Sequence, residues 1–339
     1  RSRMDRKRVL MIGTGGTIAS HKTEHGLAPA MAGEELLRYV PPVREFCRAE
    51  ALQLFSVDST NMTPAHWQRL SQAIEEHYGD YDGFVICHGT DTLAYTAAAL
   101  SYMVQRSEKP IVLTGSQKPI DMDVTDAKTN LLDSFLYACD PDSRDVSIVF
   151  DGKVIAGTRA KKERAKSYNA FSSINFPYPA VVQDGRVIRY LTEPAYEPDE
   201  VRFCRRLNPA VCVLKLTPGL QPGLLGFLFA HYDCIVIESF GVGGIPAPLV
   251  EEFYRQMNLA QGRKTVVMTT QVAHEGSNMT VYEVGRKIKQ DFGLIEAYDM
   301  TLEAVITKMM WILGQGAQSQ EEIKRLFHTC INHDILFTQ

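Results

Sequence analysis

Short apolar runs rich in Val and Ile recur along this chain of 339 residues, and each is followed by a polar turn and a longer helical pattern. Strands that are apolar on both faces and alternate with helices are typical of a parallel sheet with helices on both sides. The pattern therefore predicts an α/β fold. The predicted strands are residues 9–12, 52–57, 84–87, 111–114, 146–150, 211–216, 234–238 and 265–269.

Three helices can be predicted from the same patterns. Thr63 and Pro64 supply an N-cap and a first-turn proline, so a helix is expected to begin there. Residues 93–104 are almost entirely apolar and predict a buried helix, and residues 301–313 predict another. The stretch 184–209 is rich in proline and charge and lacks periodicity, which indicates a boundary. We expect domains at 5–190 and 210–339, joined by a linker at 191–209.

The composition excludes several classes of protein. Hydrophobic residues make up 45% of the chain and the net charge is −4, so a nucleic-acid partner is not expected. No apolar run approaches the roughly 18 residues of a membrane span. The seven cysteines are scattered without a CxxC pair, which favours reduced thiols in the cytoplasm. No metal site is predicted.

Glycine lies beside Thr or Ser directly after three of the predicted strands, in the segments 13–18, 88–92 and 114–117. Ligands of open parallel sheets bind outside the carboxyl ends of the strands. Glycine lets the backbone approach a ligand closely, and the hydroxyls can act as nucleophiles or donors. A dinucleotide loop is a weak alternative because Ile18 stands where the GxGxxG pattern needs glycine.

Taken together, these segments resemble the bacterial-type L-asparaginase family, and most closely its cytoplasmic, type I branch. The two signatures are Thr14-Gly15-Gly16-Thr17-Ile18-Ala19 and His88-Gly89-Thr90-Asp91-Thr92. Further similarity lies in Tyr81-Asp82-Gly83-Phe84-Val85, Leu113-Thr114-Gly115-Ser116, Ser239-Phe240-Gly241-Val242-Gly243-Gly244-Ile245-Pro246, Thr270-Gln271, Tyr282-Glu283-Val284-Gly285-Arg286 and Asp299-Met300-Thr301-Leu302-Glu303-Ala304.

The resemblance implies the roles of four catalytic residues. Thr17 is the expected nucleophile, and Thr90 with Asp91 and a lysine is expected to relay protons. The stretch 157–162 places that lysine at Lys162, with Lys161 as the alternative one residue away. Two hydroxyls and a lysine suit amide hydrolysis, because a hydroxyl nucleophile needs a base.

The substrate-binding residues implied by the resemblance come from both predicted domains. They are Ser59, Thr60, Thr90, Asp91, Gly115, Ser116 and Glu283. Backbone N–H groups at the Gly115 and Thr90 turns are candidates to stabilise the oxyanion.

The resemblance also implies the fold and the reaction. It predicts a flavodoxin-like N-terminal domain with a parallel sheet and a smaller Rossmann-like C-terminal domain. The reaction would be hydrolysis of L-asparagine to L-aspartate and ammonia through an acyl-enzyme, without a cofactor. Sites shared between the N-domain of one subunit and the C-domain of its neighbour would make the protein a homodimer or homotetramer.

One position departs from the family pattern. Leu27 stands where the family carries a tyrosine, on a segment from 21 to 30 that reads as a mobile loop without strand or helix period. Tyr298 is a candidate to supply a hydroxyl instead.

Two other functions stay open. One is the asparaginase-like subunit of a glutamyl-tRNA amidotransferase, although Thr14 comes so early that its additional N-terminal domain is not expected. The other is a non-catalytic amino-acid sensor on the same scaffold.

Overall fold

The chain folds into two compact units, residues 1–205 and residues 206–339. The structure is a computed structural model, and it describes residues 6–29, 31–316 and 319–337. Each unit is built around its own sheet, so the two are described separately.

The first unit contains an eight-stranded sheet. Its strands are β1 Arg8–Gly15, β4 Arg48–Val57, β5 Gly83–Cys87, β7 Ile111–Thr114, β8 Val146–Phe150, β9 Lys153–Ala156, β12 Ala180–Gln183 and β13 Arg186–Arg189. They lie in the order β13-β12-β9-β8-β7-β5-β1-β4. Five adjacent strands are parallel, namely β4, β1, β5, β7 and β8. At the other edge, β9, β12 and β13 pair antiparallel.

Helices cover both faces of this sheet because its central strands are apolar on both faces. Along β1, Val9 and Met11 pack into one core cluster and Leu10 and Ile12 into another, as strand alternation requires. The helices are α1 Gly33–Arg38, α2 Val43–Phe46, α3 Pro64–His77, α4 Leu93–Met103 and α5 Ala127–Cys139. Short two-stranded pairings join β2 Ser20–Thr23 to β3 Gly26–Pro29, β10 Ala160–Lys162 to β11 Phe171–Ser173, and β6 Val104–Gln105 to β14 Arg202–Phe203.

The second unit has a four-stranded parallel sheet. Its strands are β15 Val211–Lys215, β16 Cys234–Ser239, β17 Thr265–Thr270 and β18 Ile295–Glu296, and they lie in that order. Its helices are α6 Gly223–His231, α7 Ala247–Ala260, α8 Glu283–Phe292, α9 Leu302–Gly314 and α10 Gln320–Phe327. The prediction of an α/β fold with two parallel-sheet domains is confirmed.

The segment from His21 was predicted as a loop without strand period, and this is wrong for its described part. Residues 20–29 form the hairpin β2–β3, in which Lys22 pairs with Leu27. The Thr23 hydroxyl donates to the carbonyl oxygen of Gly26 at 2.6 Å, and Gly26 has φ +106°. The backbone pairing is closed locally by this turn, so it needs no apolar alternation in the side chains. Ala30 lies outside the described residues.

Candidate active site

The carboxyl end of β1 is packed against the ends of its two neighbouring strands. Gly15 has φ +100°, and a Cβ there would lie 2.6 Å from the backbone nitrogen of Val57. Gly16 has φ +86°, and its Cβ would lie 2.5 Å from the nitrogen of Gly89. Only glycine fits both positions. Thr17 follows Gly16 and Thr90 follows Gly89. The two predicted catalytic threonines are therefore attached to backbone segments that are in contact with each other.

The two threonines of the first signature have different surroundings. Thr14 is 2% exposed, and its hydroxyl donates to the carbonyl oxygen of Cys87 at 2.6 Å. Thr17 is partly exposed at the start of a short 3-10 helix, Thr17–Ala19. Within the described part of the chain, no hydrogen bond engages the Thr17 hydroxyl. Thr14 therefore holds two strand ends together, while Thr17 keeps a hydroxyl available for chemistry.

The buried ring of His88 holds the second signature, residues 88–92, in place through two hydrogen bonds. The ring is buried, with Nδ1 2.6 Å from the carbonyl oxygen of Gly89 and Nε2 2.8 Å from the hydroxyl of Thr96. The carbonyl can only accept, so Nδ1 carries the proton and Nε2 accepts from Thr96. Burial lowers the pKa of His88 to about 4. The ring is thus neutral at pH 7 and fixes the Gly89 turn.

Lys162 joins the two polar residues of the second signature. Its Nζ donates to the Thr90 hydroxyl at 2.8 Å and to the Asp91 carboxylate at 2.8 Å. The lysine side chain is 17% exposed and that of Asp91 is 57% exposed. The group is therefore sheltered on the lysine side and open to solvent on the aspartate side.

The neighbouring lysine does not take part in this group. Lys161 pairs with Ser172, and Lys162 with Phe171, in the antiparallel ladder of β10 and β11. Successive side chains of a strand point to opposite faces. The contacts to Thr90 and Asp91 are those of Lys162.

Gln117 also contacts Thr90, and sequence reasoning did not select it. Its Nε2 donates to the carbonyl oxygens of Ser167 at 3.1 Å and Arg164 at 3.4 Å. Those two acceptors fix the amide, so Oε1 faces the Thr90 hydroxyl, which donates to it at 3.4 Å. Its position in the third Gly-Ser strand end, at 114–117, was the available signal.

The turn that carries Gly115 and Ser116 is held from inside the protein. The Asp126 carboxylate accepts from the backbone nitrogens of Gln117 at 2.9 Å and Lys118 at 3.1 Å. A Cβ on Gly115 would lie 2.2 Å from the carbonyl oxygen of His88, so glycine is required there. The Ser116 hydroxyl is buried and donates to the Lys118 carbonyl oxygen. Substrate contacts from this turn stay a prediction.

The remaining predicted residues lie in three places. Ser59 is 2% exposed and would touch a Cβ on Gly89 at 2.7 Å, whereas the adjacent Thr60 is exposed. Leu27 is 51% exposed on β3. Glu283 is the exposed first residue of α8 in the second unit, where the Tyr298 hydroxyl accepts from Lys289 at 2.9 Å. The first unit thus brings Thr90, Asp91 and Lys162 into direct contact.

Other kinds of site find little support in the part of the chain that the structure describes. Within it, no group of three or more His, Cys, Asp or Glu side chains could hold a metal ion. Across the same residues, every helix is too short or too polar to cross a bilayer. The seven cysteines are free thiols. In the first unit, Thr17 and Thr90 follow the ends of β1 and β5, and Lys162 reaches Thr90 and Asp91 from β10.

Comparison with known families decides what this arrangement belongs to. Residues 8–196 match the family described as "Asparaginase, N-terminal", and residues 210–327 match the "Glutaminase/Asparaginase C-terminal domain". The chain belongs to the asparaginase family. The predicted resemblance and the prediction of an amidohydrolase are both confirmed.

Individual asparaginases are similar along their whole length. L-asparaginase of Thermococcus kodakarensis is 39% identical over 336 residues, which covers 97% of this chain and 99% of that protein. A solved structure of the thermostable L-asparaginase from that organism matches with a TM-score of 0.90 at 38% identity, covering 98% and 100% of the two chains. L-asparaginase 1 of Escherichia coli K12 is 34% identical over 94% of this chain and 95% of its own length.

A second kind of relative is equally distant in sequence. A glutamyl-tRNA(Gln) amidotransferase subunit of Metallosphaera sedula is 34% identical over 95% of this chain, and the match covers 75% of that protein. The asparaginase scaffold is therefore used by relatives of more than one kind.

Proposed function

We propose that the protein is an L-asparaginase that hydrolyses L-asparagine to L-aspartate and ammonia through a Thr17 acyl-enzyme. The observation that carries the proposal is the contact of Lys162 with both Thr90 and Asp91 at 2.8 Å, beside the turn that bears Thr17. A hydroxyl nucleophile, a second hydroxyl and a sheltered lysine are the groups that amide hydrolysis in two steps needs.

In the first step the Thr17 oxygen attacks the side-chain amide carbon of asparagine. The Thr17 proton passes to the amide nitrogen, the carbon–nitrogen bond breaks, and ammonia leaves. In the second step water attacks the resulting ester, the water proton returns to the Thr17 oxygen, and aspartate leaves. Splitting the reaction in this way replaces one difficult displacement by two easier ones.

Thr90 and Lys162 are proposed to move the protons. Lys162 in its neutral form accepts a proton from the Thr90 hydroxyl while Thr90 takes one from Thr17 or from water. The resulting ammonium is stabilised by Asp91, whose carboxylate already accepts from Nζ. Backbone N–H groups at the Thr90 and Gly115 turns are the proposed donors to the oxyanion, which is usually the largest electrostatic contribution to such a reaction.

Ser59, Thr60, Asp91 and Ser116 are the proposed substrate contacts from the first unit. Glu283 is proposed to complete the site of a neighbouring subunit by holding the substrate ammonium group, so the active form would be a homodimer or homotetramer. A cytoplasmic location is proposed from the similarity to a solved structure of a probable cytoplasmic L-asparaginase from Campylobacter jejuni, which matches with a TM-score of 0.82 at 25% identity.

Release of ammonia from L-asparagine, D-asparagine and L-glutamine in a coupled assay tests the reaction directly. We expect turnover of L-asparagine by the protein alone. The Thr17→Ala variant should lose at least roughly 10³-fold in turnover with its melting temperature unchanged. Residual activity above about one tenth of wild type would exclude Thr17 as the nucleophile.

The matched control is Thr14→Ala. Thr14 shares the signature, but its hydroxyl is tied to Cys87, so the loss should appear in stability rather than in turnover. Mixed oligomers of Thr17→Ala and Glu283→Ala subunits test the shared site. In a mixed pair, the intact Thr17 of one subunit and the intact Glu283 of the other should form one working site. No recovery in verified mixtures would contradict it.

The amidotransferase alternative rests on the similarity to the amidotransferase relative from M. sedula. It predicts ammonia release only in the presence of a partner protein and tRNA. Full turnover of L-asparagine without either would reject it.

The sensor alternative rests on Leu27, whose side chain has no proton to give or take. We expect the wild-type enzyme to be active, Leu27→Ala to be slower, and Leu27→Tyr to change turnover by less than roughly tenfold. A protein that is inert as it stands and becomes active with Leu27→Tyr would instead be a sensor.

A further inference from the structure

The second unit contains a cavity of about 660 Å³, a volume typical of small-molecule sites. The residues that line it lie between positions 275 and 337 and include Arg286 and Lys289 of α8. The charged side chains of its lining are Arg286, Lys289, Lys324, Glu275 and Asp299. None of these residues has a part in the proposed asparagine chemistry.

The acidic residues around the cavity are largely engaged. Asp299 is 2% exposed, and its carboxylate accepts from the backbone nitrogens of Leu336 at 3.0 Å and Phe337 at 3.3 Å. Glu296 lies behind the wall, where it accepts from the nitrogen of Met279 at 2.9 Å and pairs with Lys289 at 3.5 Å. The other acid of the lining, Glu275, is exposed and also has an interaction partner.

Among the described residues, two cations of the lining are left without an acidic partner. Arg286 donates to the carbonyl oxygen of Thr280 at 2.9 Å, and in this part of the chain no carboxylate pairs with Arg286 or Lys324. Lys324 and Lys289, with Lys308, also lower the pKa of His328, after the larger effect of burial. The cavity is thus lined by cations that are close enough together to influence one ring.

Ser277 lies in the wall of the cavity and is 7% exposed. Its Oγ is shielded from solvent and has no hydrogen-bond partner among the residues that the structure describes. The accessible polar groups of the cavity are therefore the charged side chains of its lining.

The walls of the cavity are held rigidly. Glu275 and Tyr298 both line it with left-handed backbones, at φ +81° and +50°. A Cβ on Gly276 would lie 2.4 Å from the carbonyl oxygen of Tyr298, so the two segments are pressed together. Backbone strain of this kind is concentrated at functional sites.

We propose that this cavity binds a small organic molecule through an oxyanion group, either a carboxylate or a phosphate. The guanidinium of Arg286 offers paired donors to such a group, and Lys324 adds a second charge.

Calorimetric titration of the full-length enzyme tests this site, with citrate as the carboxylate probe, adenosine monophosphate as the phosphate probe and adenosine as the uncharged control. We expect one of the two anions to bind with a Kd of about 1 mM or tighter, and adenosine not to bind. Which anion binds identifies the oxyanion. The heat is measured without turnover, so the result is independent of the asparaginase proposal.

Variants locate the binding. Arg286→Met combined with Lys324→Met should weaken the binding at least tenfold. Lys287→Met is the matched control, because Lys287 is exposed on the same helix and outside the lining, and it should change the affinity by less than twofold. Glu275→Gln should leave the affinity equal or tighter.

Three results would overturn the proposal. One is the absence of binding by both anions up to about 10 mM. Another is equal binding of adenosine and its monophosphate. The third is an unchanged affinity in the Arg286→Met, Lys324→Met variant, provided that its circular dichroism and melting temperature match those of the Lys287→Met control.

Discussion

Lys162 and Lys308 are both sheltered lysines hydrogen-bonded to an aspartate, and their surroundings differ completely. Lys308 in α9 is 0% exposed, and its Nζ donates to the carbonyl oxygens of Phe327 and Thr329 and to Asp334, which is also 0% exposed. Lys162 donates to a threonine hydroxyl and to the exposed Asp91.

The comparison separates a structural lysine from one suited to chemistry. The three donors of Lys308 are all used by groups that belong to the C-terminal segment, so the ammonium is locked in place. Lys162 instead bonds a hydroxyl that can itself exchange a proton. A lysine–aspartate pair is therefore informative only together with what else the lysine contacts.

Lys308→Met is expected to have the largest effect, and only on stability. Removing the ammonium leaves the Asp334 carboxylate buried without its charge partner, which costs about 3–5 kcal/mol. Urea unfolding at pH 7 measures it. The double variant Lys308→Met, Asp334→Asn should recover part of the loss, because no charge is then buried. A loss below about 1 kcal/mol in the single variant would contradict the structural role.

Lys162→Met is expected to act on turnover instead. The loss should be at least roughly 10²-fold, the usual scale of proton-transfer help, with nearly unchanged stability. Thr90→Val should cost a similar factor, and the double variant little more than either, because the two act as one relay. Lys161→Met is the matched control one residue away. If Lys161→Met were damaging and Lys162→Met silent, the assignment would be wrong.

Acid should weaken the first unit through His88, beneath the Thr90 site. Burial lowers its pKa from 6.5 to about 4, so between these values the unfolded chain binds the proton and the folded protein does not. Stability therefore falls as the pH falls, by about 2 kcal/mol between pH 7 and pH 5. Unfolding of wild type and of His88→Asn at both pH values isolates this contribution. An equal loss in both proteins would refute it.

Gln117→Leu should have the smallest effect. Loss of the amide removes the acceptor for Thr90 and the two contacts to the segment after Lys162. We expect about a tenfold lower kcat, with a smaller change in KM. The reason is that Gln117 orients Thr90 for the reaction step, so its loss should affect that step more than substrate binding. Gln117→Glu keeps the size but places a carboxylate near Lys162, so the pH profile of kcat/KM should move. An unmoved profile would reduce Gln117 to a packing role.

The sequence alone was sufficient for the five parallel strands of the first unit, for helices α3, α4 and α9, and for the strand-end motifs. Continuous apolar runs have few alternatives to buried strands, and β1, β5 and β7 contain the predicted residues 9–12, 84–87 and 111–114. Thr63 and Pro64 likewise begin α3 as predicted. The placement of Gly15 and Gly16 after a buried strand pointed to a crowded turn, and the backbone contacts of both glycines agree with it.

Only the tertiary structure decided which side chains meet. Lys162 lies 72 residues from Thr90, and Gln117 lies 50 residues from Ser167, so no local periodicity links them. The hairpin at 20–29 is closed by backbone pairing and one threonine hydroxyl, which leave no hydrophobic pattern. The unpaired Ser277 hydroxyl was equally invisible, because a serine's partners depend on segments that converge only after folding. Hydrophobic pattern determines where strands and helices form; the pairing of polar groups depends on how the folded chain brings distant segments together.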